Sequence, residues 1–389
     1  MELTHDLHLA YCTNIHRGET WSETFDSLKN YTLAVREKVC PKKPFAIGLR
    51  LSNQAAMELY DPKKLLEFQR WLEKNDCYVF TINGFPYGQF HGTRVKEQVY
   101  APDWTSPKRW IYTDCLFNLL AKLLPAGIEG SVSTVPGSFK EFIHTSDQQK
   151  LMRHGIWRCV EHIAHLSKHT GKKLHLGLEP EPLCLLENSA ETIEFFGQLR
   201  AEYPNDPRLD EHLGVNYDCC HFAVEFEEPK NVFAALQNAG IKISKIHLSS
   251  ALKTKTTKEA RAALANFADD VYLHQVVSRG ANGKLKFFRD LPDALSCHSP
   301  LATRHSAEWR VHFHVPLHAP AAPPFENTND HLLGVLDLLA ENPGLCSHLE
   351  METYTWEVLP PELKSQSVVE QLAAEYEWAL AQLKERGLA

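Results

Sequence analysis

Short apolar stretches alternate with longer amphipathic stretches along most of the chain, and capping or turn residues stand at their boundaries. The apolar stretch over residues 77–82 is also rich in β-branched and aromatic residues, which is typical of buried strands. The amphipathic stretch over residues 22–39 begins with a capping box formed by Thr20 and Glu23, which predicts a helix. Nine stretches are predicted to be strands: residues 7–13, 45–51, 77–82, 131–135, 174–178, 213–217, 243–248, 309–315 and 348–354.

Strand and helix alternate almost to the end of the chain, which predicts an α/β protein with a parallel sheet. This many units favour a closed (β/α)8 TIM barrel that forms a single domain over residues 1–389. A barrel of about eight strands leaves one candidate outside, and we expect it to be 309–315, which follows an irregular stretch. That stretch, 254–306, is predicted to be an insertion with a β-hairpin around the turn 280–283. Residues 367–386 are expected to form a closing amphipathic helix.

Composition narrows the classes of function. No apolar run approaches the roughly 20 residues that cross a bilayer, and the start of the chain lacks the pattern of a signal peptide. The ten cysteines show no paired metal spacing, so we expect reduced thiols in a cytoplasmic protein. The net charge of −8 argues against a broad nucleic-acid surface.

Acidic and histidine residues recur where predicted strands end, and barrel enzymes carry their active sites at that face. Buried acids without partners cost several kcal/mol, a penalty that a divalent cation removes. Three carboxylates and one imidazole suit Mn²⁺, Mg²⁺, Co²⁺, Fe²⁺ or Zn²⁺ and leave positions open for a substrate. The four residues predicted to hold this ion are Glu179, Asp218, His247 and Glu352.

Two further acids accompany this set. Glu181 follows Glu179 by two residues, and Glu350 precedes Glu352 by two. Because side chains alternate along a strand, each pair is expected to share a face. Glu181 and Glu350 are therefore additional candidates for contact with a metal ion or a substrate.

Four histidines extend the candidate site. His221 follows Asp218 by three residues and is expected to face the same space. His312 and His314 share a face of the predicted strand 309–315, either as further ligands or as hydrogen-bonding residues of the barrel. His274, on the predicted hairpin, either covers the pocket or has a structural role.

Several of these motifs resemble a known superfamily, the xylose-isomerase-like TIM barrels, which include ketose 3-epimerases, inosose dehydratases and endonuclease IV. The similar segments are the D-x-x-H motif at 218–221, I-H-L at 246–248 and E-T at 352–353. L-E-P at 178–180 resembles the stretch with the first metal-binding glutamate of the epimerases. The resemblance implies the same four metal ligands and implies that the two glutamates among them transfer protons.

Over most of its length the chain is also similar to a narrower family, the EboE-type metabolite traffic proteins. The similar segments are residues 11–16, 84–88, 312–316 and 352–356. This resemblance implies a bacterial secondary-metabolite pathway, with other proteins of that pathway as partners. One departure concerns the substrate: the epimerases have Asn-Arg after their first glutamate, whereas this chain has residues 182–184, Pro-Leu-Cys. Sugar contacts at that point are therefore not carried over.

The sequence thus predicts a metal-dependent isomerase or epimerase acting on a sugar, cyclitol or similar polyhydroxylated metabolite. Glu179 and Glu352 would move the proton, with His221 as a substitute for one of them. A lyase that removes water from a cyclitol uses the same first step. A phosphodiesterase or endonuclease with two or three metal ions is the second hypothesis, supported by the extra histidines. A non-catalytic barrel that handles a metabolite is the third.

Overall fold

Eight parallel strands close into a barrel in the computed structural model, which describes residues 1–89, 91–297, 307–319, 322–360, 364 and 366–389. Around the barrel the strands follow one another in the order β1, β13, β7, β6, β5, β4, β3 and β2, where the numbers give the chain order. Their bounds are β1 His8–Cys12, β2 Phe45–Arg50, β3 Cys77–Asn83, β4 Gly130–Thr134, β5 Leu174–Leu178, β6 Leu213–Asp218, β7 Lys242–Leu248 and β13 His348–Met351. The predicted (β/α)8 barrel is confirmed.

Helices connect the barrel strands, and their starts carry the caps that local sequence supplies. The capping box of Thr20 and Glu23 is present, and a turn of π-helix at Leu28–Thr32 joins the first two helices into the predicted stretch 22–39. The helices are α1 Trp21–Ser27, α2 Leu33–Val39, α3 Asn53–Leu59, α4 Pro62–Lys74, α5 Pro107–Leu123, α6 Ser146–Thr170, α7 Ser189–Glu202, α8 Pro207–His212, α9 Cys219–Val224, α10 Pro229–Asn238, α11 Lys258–Leu264, α12 Leu291–Ser296, α13 Asn329–Glu341 and α14 Val368–Glu385.

A second sheet of antiparallel strands lies outside the barrel, in the order β10, β9, β11, β8 and β12. It contains the predicted hairpin, and it also contains the strand that the sequence placed outside the barrel at 309–315. The sheet extends beyond the predicted insertion 254–306 on both sides, and residues 298–306 lie outside the described residues. Its strands are β8 Ala251–Lys255, β9 Val276–Arg279, β10 Leu285–Phe288, β11 Glu308–His314 and β12 Phe325–Asn327.

Each sheet packs on a hydrophobic core of its own. One continuous core joins the barrel strands to their helices, and α14 packs beside α2, where the closing helix was expected. A separate core that includes Trp309 and Phe313 supports the antiparallel sheet. Residues that the second sheet presents to the barrel mouth therefore rest on a packed platform. The assignment of residues 1–389 to one domain stays a prediction.

Within the described residues, no helix combines the length and apolar character that crossing a bilayer requires.

Candidate metal centre

The four predicted ligands converge at the carboxyl end of the barrel. Glu179 directly follows β5, Asp218 ends β6, His247 lies near the end of β7, and Glu352 directly follows β13. These strands are neighbours in the barrel, so strand ends far apart in sequence meet at one point. One potential ligand atom from each residue lies within 4.8 Å of the other three, and all four side chains are buried.

His247 stands at the centre of this group. Its Nδ1 atom lies 3.2 Å from Glu179 Oε1, 3.2 Å from Asp218 Oδ2 and 2.5 Å from Glu352 Oε2. One ring nitrogen donates at most one good hydrogen bond, so these three carboxylates cannot all be satisfied by it. Glu179 Oε2 has no hydrogen-bond partner among the described residues. A divalent cation among these oxygens would meet that deficit, so the residues fit a metal ion.

Glu350 lies behind His247 instead of among the converging atoms. His247 Nε2 donates to Glu350 Oε2 at 3.1 Å, and Lys245 Nζ also donates to that oxygen. In the neutral ring, a proton on Nε2 directs the Nδ1 lone pair towards the three carboxylates. A carboxylate that orients a histidine in this way is typical of protein metal sites. Gly48 provides the space, because a Cβ atom at that position would lie 1.8 Å from Glu350 Oε1.

The pKa values in this group respond to burial and to excess negative charge. Burial raises the pKa of Glu352 to about 8, although His247 acts in the opposite direction. Burial alone would lower the pKa of His247, but Glu352 and the other acids hold it well above the ordinary value. Burial would raise the pKa of Glu350, yet Lys245 brings it down to about 2. The group thus favours positive charge beside His247 Nδ1, whether carried by a proton or by a metal ion.

The predicted histidines divide into two kinds. His221, on α9, and His312 and His314, on β11, form a histidine cluster next to Asp218. His274 does not join them, because its Nε2 lies 2.5 Å from Asp269 Oδ2 and its Nδ1 donates to the His312 carbonyl at 3.0 Å. With both ring nitrogens occupied, His274 has the geometry of a structural residue.

Glu181 faces the same space from the β5 side. Its Oε1 accepts a hydrogen bond from the Tyr100 hydroxyl at 2.7 Å, and its Oε2 has no partner among the described residues. Burial raises the pKa of Glu181 well above the ordinary value, and Glu179 adds to the shift. Tyr100 lies between β3 and α5, and the sequence analysis assigned it no role.

A cavity of about 50 Å³ lies over these groups, which is room for a few water molecules. Asn14, two residues after the end of β1, lines it and donates to Glu352 Oε1 at 3.0 Å. Sequence reasoning missed Asn14, although its place after a strand is the signal that identified the acids. The cationic lining residue is Lys96, whose Nζ is 2.7 Å from Asp290 Oδ2 and is therefore already paired.

No protein-family model matches this chain, and no curated protein sequence matches it significantly. Among solved structures, it is similar to an L-ribulose 3-epimerase, with 13% identity and a TM-score of 0.51 over 99% of this chain and 96% of the other. A xylose isomerase-like TIM barrel protein from Mycobacterium smegmatis, in complex with magnesium, gives 12% identity and a TM-score of 0.52 over 99% of both chains. The IOLI protein with a zinc atom gives 10% identity and a TM-score of 0.51 over 97% of this chain and 98% of the other.

At these identities the similarity concerns the fold. The chain has the fold of the xylose-isomerase-like TIM barrels, as its motifs predicted. The narrower resemblance to EboE-type proteins stays a prediction.

Proposed function

We propose that this protein is a metal-dependent isomerase or epimerase that moves a proton on a sugar, cyclitol or similar polyhydroxylated metabolite. The observation that supports this most is the convergence of Glu179, Asp218, His247 and Glu352 within 4.8 Å at the barrel mouth. The L-ribulose 3-epimerase with the same fold is consistent with this reaction class.

Glu179, Asp218, His247 and Glu352 would hold the ion, chosen from Mn²⁺, Mg²⁺, Co²⁺, Fe²⁺ and Zn²⁺. The magnesium and zinc in two proteins with this fold support a divalent cation. When bound, the ion would stabilise negative charge on a substrate oxygen.

Proton transfer falls to the two glutamates. Glu179 and Glu352 follow strands that flank β6 and β7, so they approach the space above the site from different sides. Asn14 orients Glu352 through its 3.0 Å hydrogen bond. His221 is the substitute for one glutamate, since its Nδ1 is held by the Pro180 carbonyl at 2.9 Å and its Nε2 is on the other side of the ring.

An uncharged polyhydroxylated substrate suits the lining better than a phosphorylated one. Acids and imidazoles offer acceptors and donors to hydroxyl groups, while the lining cation Lys96 is already paired with Asp290.

Proton exchange with solvent tests the proposal directly. The metal-loaded protein would be incubated in D₂O with a panel of ketoses, aldoses and inososes, and deuterium at carbon followed by NMR. We expect exchange next to the carbonyl of at least one compound, and its loss in Glu179→Gln and Glu352→Gln. Asp114→Asn, which changes a partly buried acid on α5, serves as the control and keeps the exchange. Metal binding without exchange in any compound would contradict the proposal.

Two other functions make different predictions. A metal-dependent hydrolase like endonuclease IV is favoured by the histidine cluster, and cleavage of bis-p-nitrophenyl phosphate or abasic DNA would support it. For a non-catalytic barrel, Glu179→Gln combined with Asp218→Asn would leave the pathway product unchanged. We favour the isomerase because the lining cation is paired and therefore unavailable to a phosphate.

The last part of the proposal concerns the location of the protein and its pathway. All ten cysteines are free thiols, which fits a reducing cytoplasm. We place the protein there, in a secondary-metabolite pathway of the EboE type, with other proteins of that pathway as partners.

A further inference from the structure

We propose that Glu375, on the closing helix α14, is a positioning residue that acts through Thr353 to hold the carboxylate of Glu352 at the metal centre. The inference rests on the proposed function, in which Glu352 binds the ion and transfers a proton. It adds a connection between that site and the last helix of the chain, which packs beside α2.

Glu375 is a buried acid whose hydrogen-bond partners are neutral groups. Its side chain is fully buried, its Oε2 accepts from the Thr353 hydroxyl at 2.6 Å, and its Oε1 accepts from Gln371 Nε2 at 3.1 Å. Burial raises the pKa of Glu375 to about 7, although hydrogen bonds from Thr353, Gln371 and the Leu317 backbone oppose the rise. A buried carboxyl group is costly compared with an apolar side chain, so its presence is best explained by the bonds it makes.

Thr353 is the residue directly after Glu352, and the two side chains have different partners. Glu352 Oε1 accepts from Asn14 Nδ2 in the cavity, whereas Thr353 Oγ1 donates to Glu375 on α14. The two residues share one peptide unit, which is rigid and planar. Anchoring the side chain of Thr353 therefore restricts the positions that Glu352 can adopt.

The backbone of this segment is held by two further elements. The Glu352 amide donates to the Leu248 carbonyl of β7 at 3.2 Å, and the Glu352 carbonyl accepts from His314 Nδ1 of β11 at 3.1 Å. Glu352 is thus positioned by β7, β11 and α14. The bond from Thr353 to Glu375 is the one formed by two side chains, so a substitution can remove it without changing the backbone partners.

The position of Glu352 matters for both of its proposed roles. A displacement of about 1 Å at a reacting group can lower a rate on the order of 100-fold. Loss of a group that orients a metal ligand typically costs about 10–100-fold in metal affinity or activity. Neither Thr353 nor Glu375 is among the described residues that line the cavity, so KM should stay close to that of the unaltered protein.

Substitutions of Thr353 test the proposal. Thr353→Val keeps the shape of the side chain and removes the hydroxyl, whereas Thr353→Ser keeps the hydroxyl. For each protein we would measure deuterium exchange, Mn²⁺ affinity by electron paramagnetic resonance, and the melting temperature. We expect Thr353→Val to lower kcat for exchange and Mn²⁺ affinity by about 10–100-fold, and Thr353→Ser to retain most of both.

Glu375→Leu tests the other side of the bond. It should lower kcat and Mn²⁺ affinity as Thr353→Val does. Because both substitutions remove the same bond, the double variant should lose no more than either single variant. Losses that multiply in the double variant would mean that the two residues act independently, which would overturn the proposal.

Thr192→Val is the matched control. It removes a buried threonine hydroxyl on α7, which donates to the Asn188 carbonyl at 2.8 Å. We expect a similar fall in melting temperature, with exchange and Mn²⁺ affinity unchanged. Equal exchange and Mn²⁺ affinity in Thr353→Val and the unaltered protein, or equal losses in Thr192→Val, would contradict the positioning role. Loss of both properties in Thr353→Ser would also contradict it.

A failure of the proposed reaction is distinguishable from a failure of this inference. If the unaltered protein catalyses no exchange, the reaction is wrong, and Mn²⁺ affinity still tests the role of Glu375. A crystal structure of Thr353→Val needs neither activity nor metal. In it we expect Glu352 Oε1 to move away from Asn14 Nδ2, 3.0 Å distant in the unaltered protein. An unchanged position of Glu352 would overturn the proposal.

Discussion

Histidines are buried at both ends of the barrel, but their ring nitrogens meet different partners. At the amino ends of the strands, each of three histidines has a hydroxyl partner for Nδ1. The three pairs are His8 with Tyr78 at 2.8 Å, His175 with Ser244 at 2.6 Å and His348 with Ser131 at 2.8 Å. Hydroxyl groups both donate and accept, so such pairs are satisfied without added charge.

At the carboxyl ends, carboxylates take the place of those hydroxyls. His247 Nδ1 faces three acids, and Glu179, Glu181 and His314 each present a buried atom without a hydrogen-bond partner among the described residues. At the amino ends of the strands, here called the lower end, one histidine nitrogen has no partner among the described residues, and it is Nε2 of His348. Burial and histidine content are therefore poor markers of a binding site, whereas a surplus of unmatched acceptors is a good one.

The largest effect on stability is expected from a substitution in the buried ion pair of Lys245 and Glu350, which lies inside the barrel between its two ends. Lys245→Met leaves Glu350 as a buried charge with only His247 to balance it, which should lower the free energy of unfolding by about 3–5 kcal/mol. Urea denaturation of the metal-free protein measures this change. A loss below about 1 kcal/mol would show that the pair is not needed to hold Glu350 in the barrel.

The next largest effect is the stabilisation of the fold by a bound ion, which we expect only at the carboxyl ends of the strands, here called the upper end. An ion at 100 times its dissociation constant stabilises the fold by about 2.7 kcal/mol, and Glu179→Gln should lose this gain. Without metal the same variant should be at least as stable as the unaltered protein, because one of several crowded acids becomes neutral. Thermal unfolding with and without Mn²⁺ measures both. A metal-free variant that is strongly destabilised would mean that Glu179 is structural.

At the lower end we expect the opposite response to a substitution: lower stability without a change in metal binding. Ser131 accepts from His348 and donates to Thr81 at 2.8 Å, so Ser131→Ala leaves a buried ring nitrogen without a partner. We expect a loss of about 1–3 kcal/mol and no change in metal binding. Ser296→Ala, at an exposed serine on α12, is the control and should stay within about 0.5 kcal/mol. Weaker metal binding in Ser131→Ala would contradict the view that only the carboxyl ends of the strands take part in metal binding.

The barrel and the four converging residues were accessible from sequence because both depend on local pattern. Short apolar runs mark the strands, and the strand end fixes which side chains face the site. The strands β8 and β12 were missed, since Ala251–Lys255 and Phe325–Asn327 are short and carry polar residues. Long-range pairing makes them strands, and local propensity does not reveal it.

Dependence on long-range strand pairing also explains why the surroundings of the site were not predicted from the sequence. The alternation of His312 and His314 was visible, but the sheet that directs them to Asp218 forms between strands distant in sequence. Glu350 was predicted to contact a metal ion or substrate, and the structure places it behind His247, against Lys245. Lys245 shares the face of His247 by alternation, but its pairing with Glu350 depends on the contact between β7 and β13, which the sequence does not show.

The smallest expected effect concerns pH at the lower end. Burial lowers the pKa of His348 well below its usual range, so this ring is neutral in the fold and gains a proton on unfolding below about pH 6.5. The unfolded chain then binds more protons, and stability falls as the pH drops below that value, by up to about 1.4 kcal/mol per pH unit and histidine. His348→Gln should reduce the slope by about 1 kcal/mol per unit between pH 6.5 and 5.5, measured by urea denaturation with a chelator present. Ser296→Ala should leave the slope unchanged, whereas an equal slope in His348→Gln would mean that this ring is already charged in the fold.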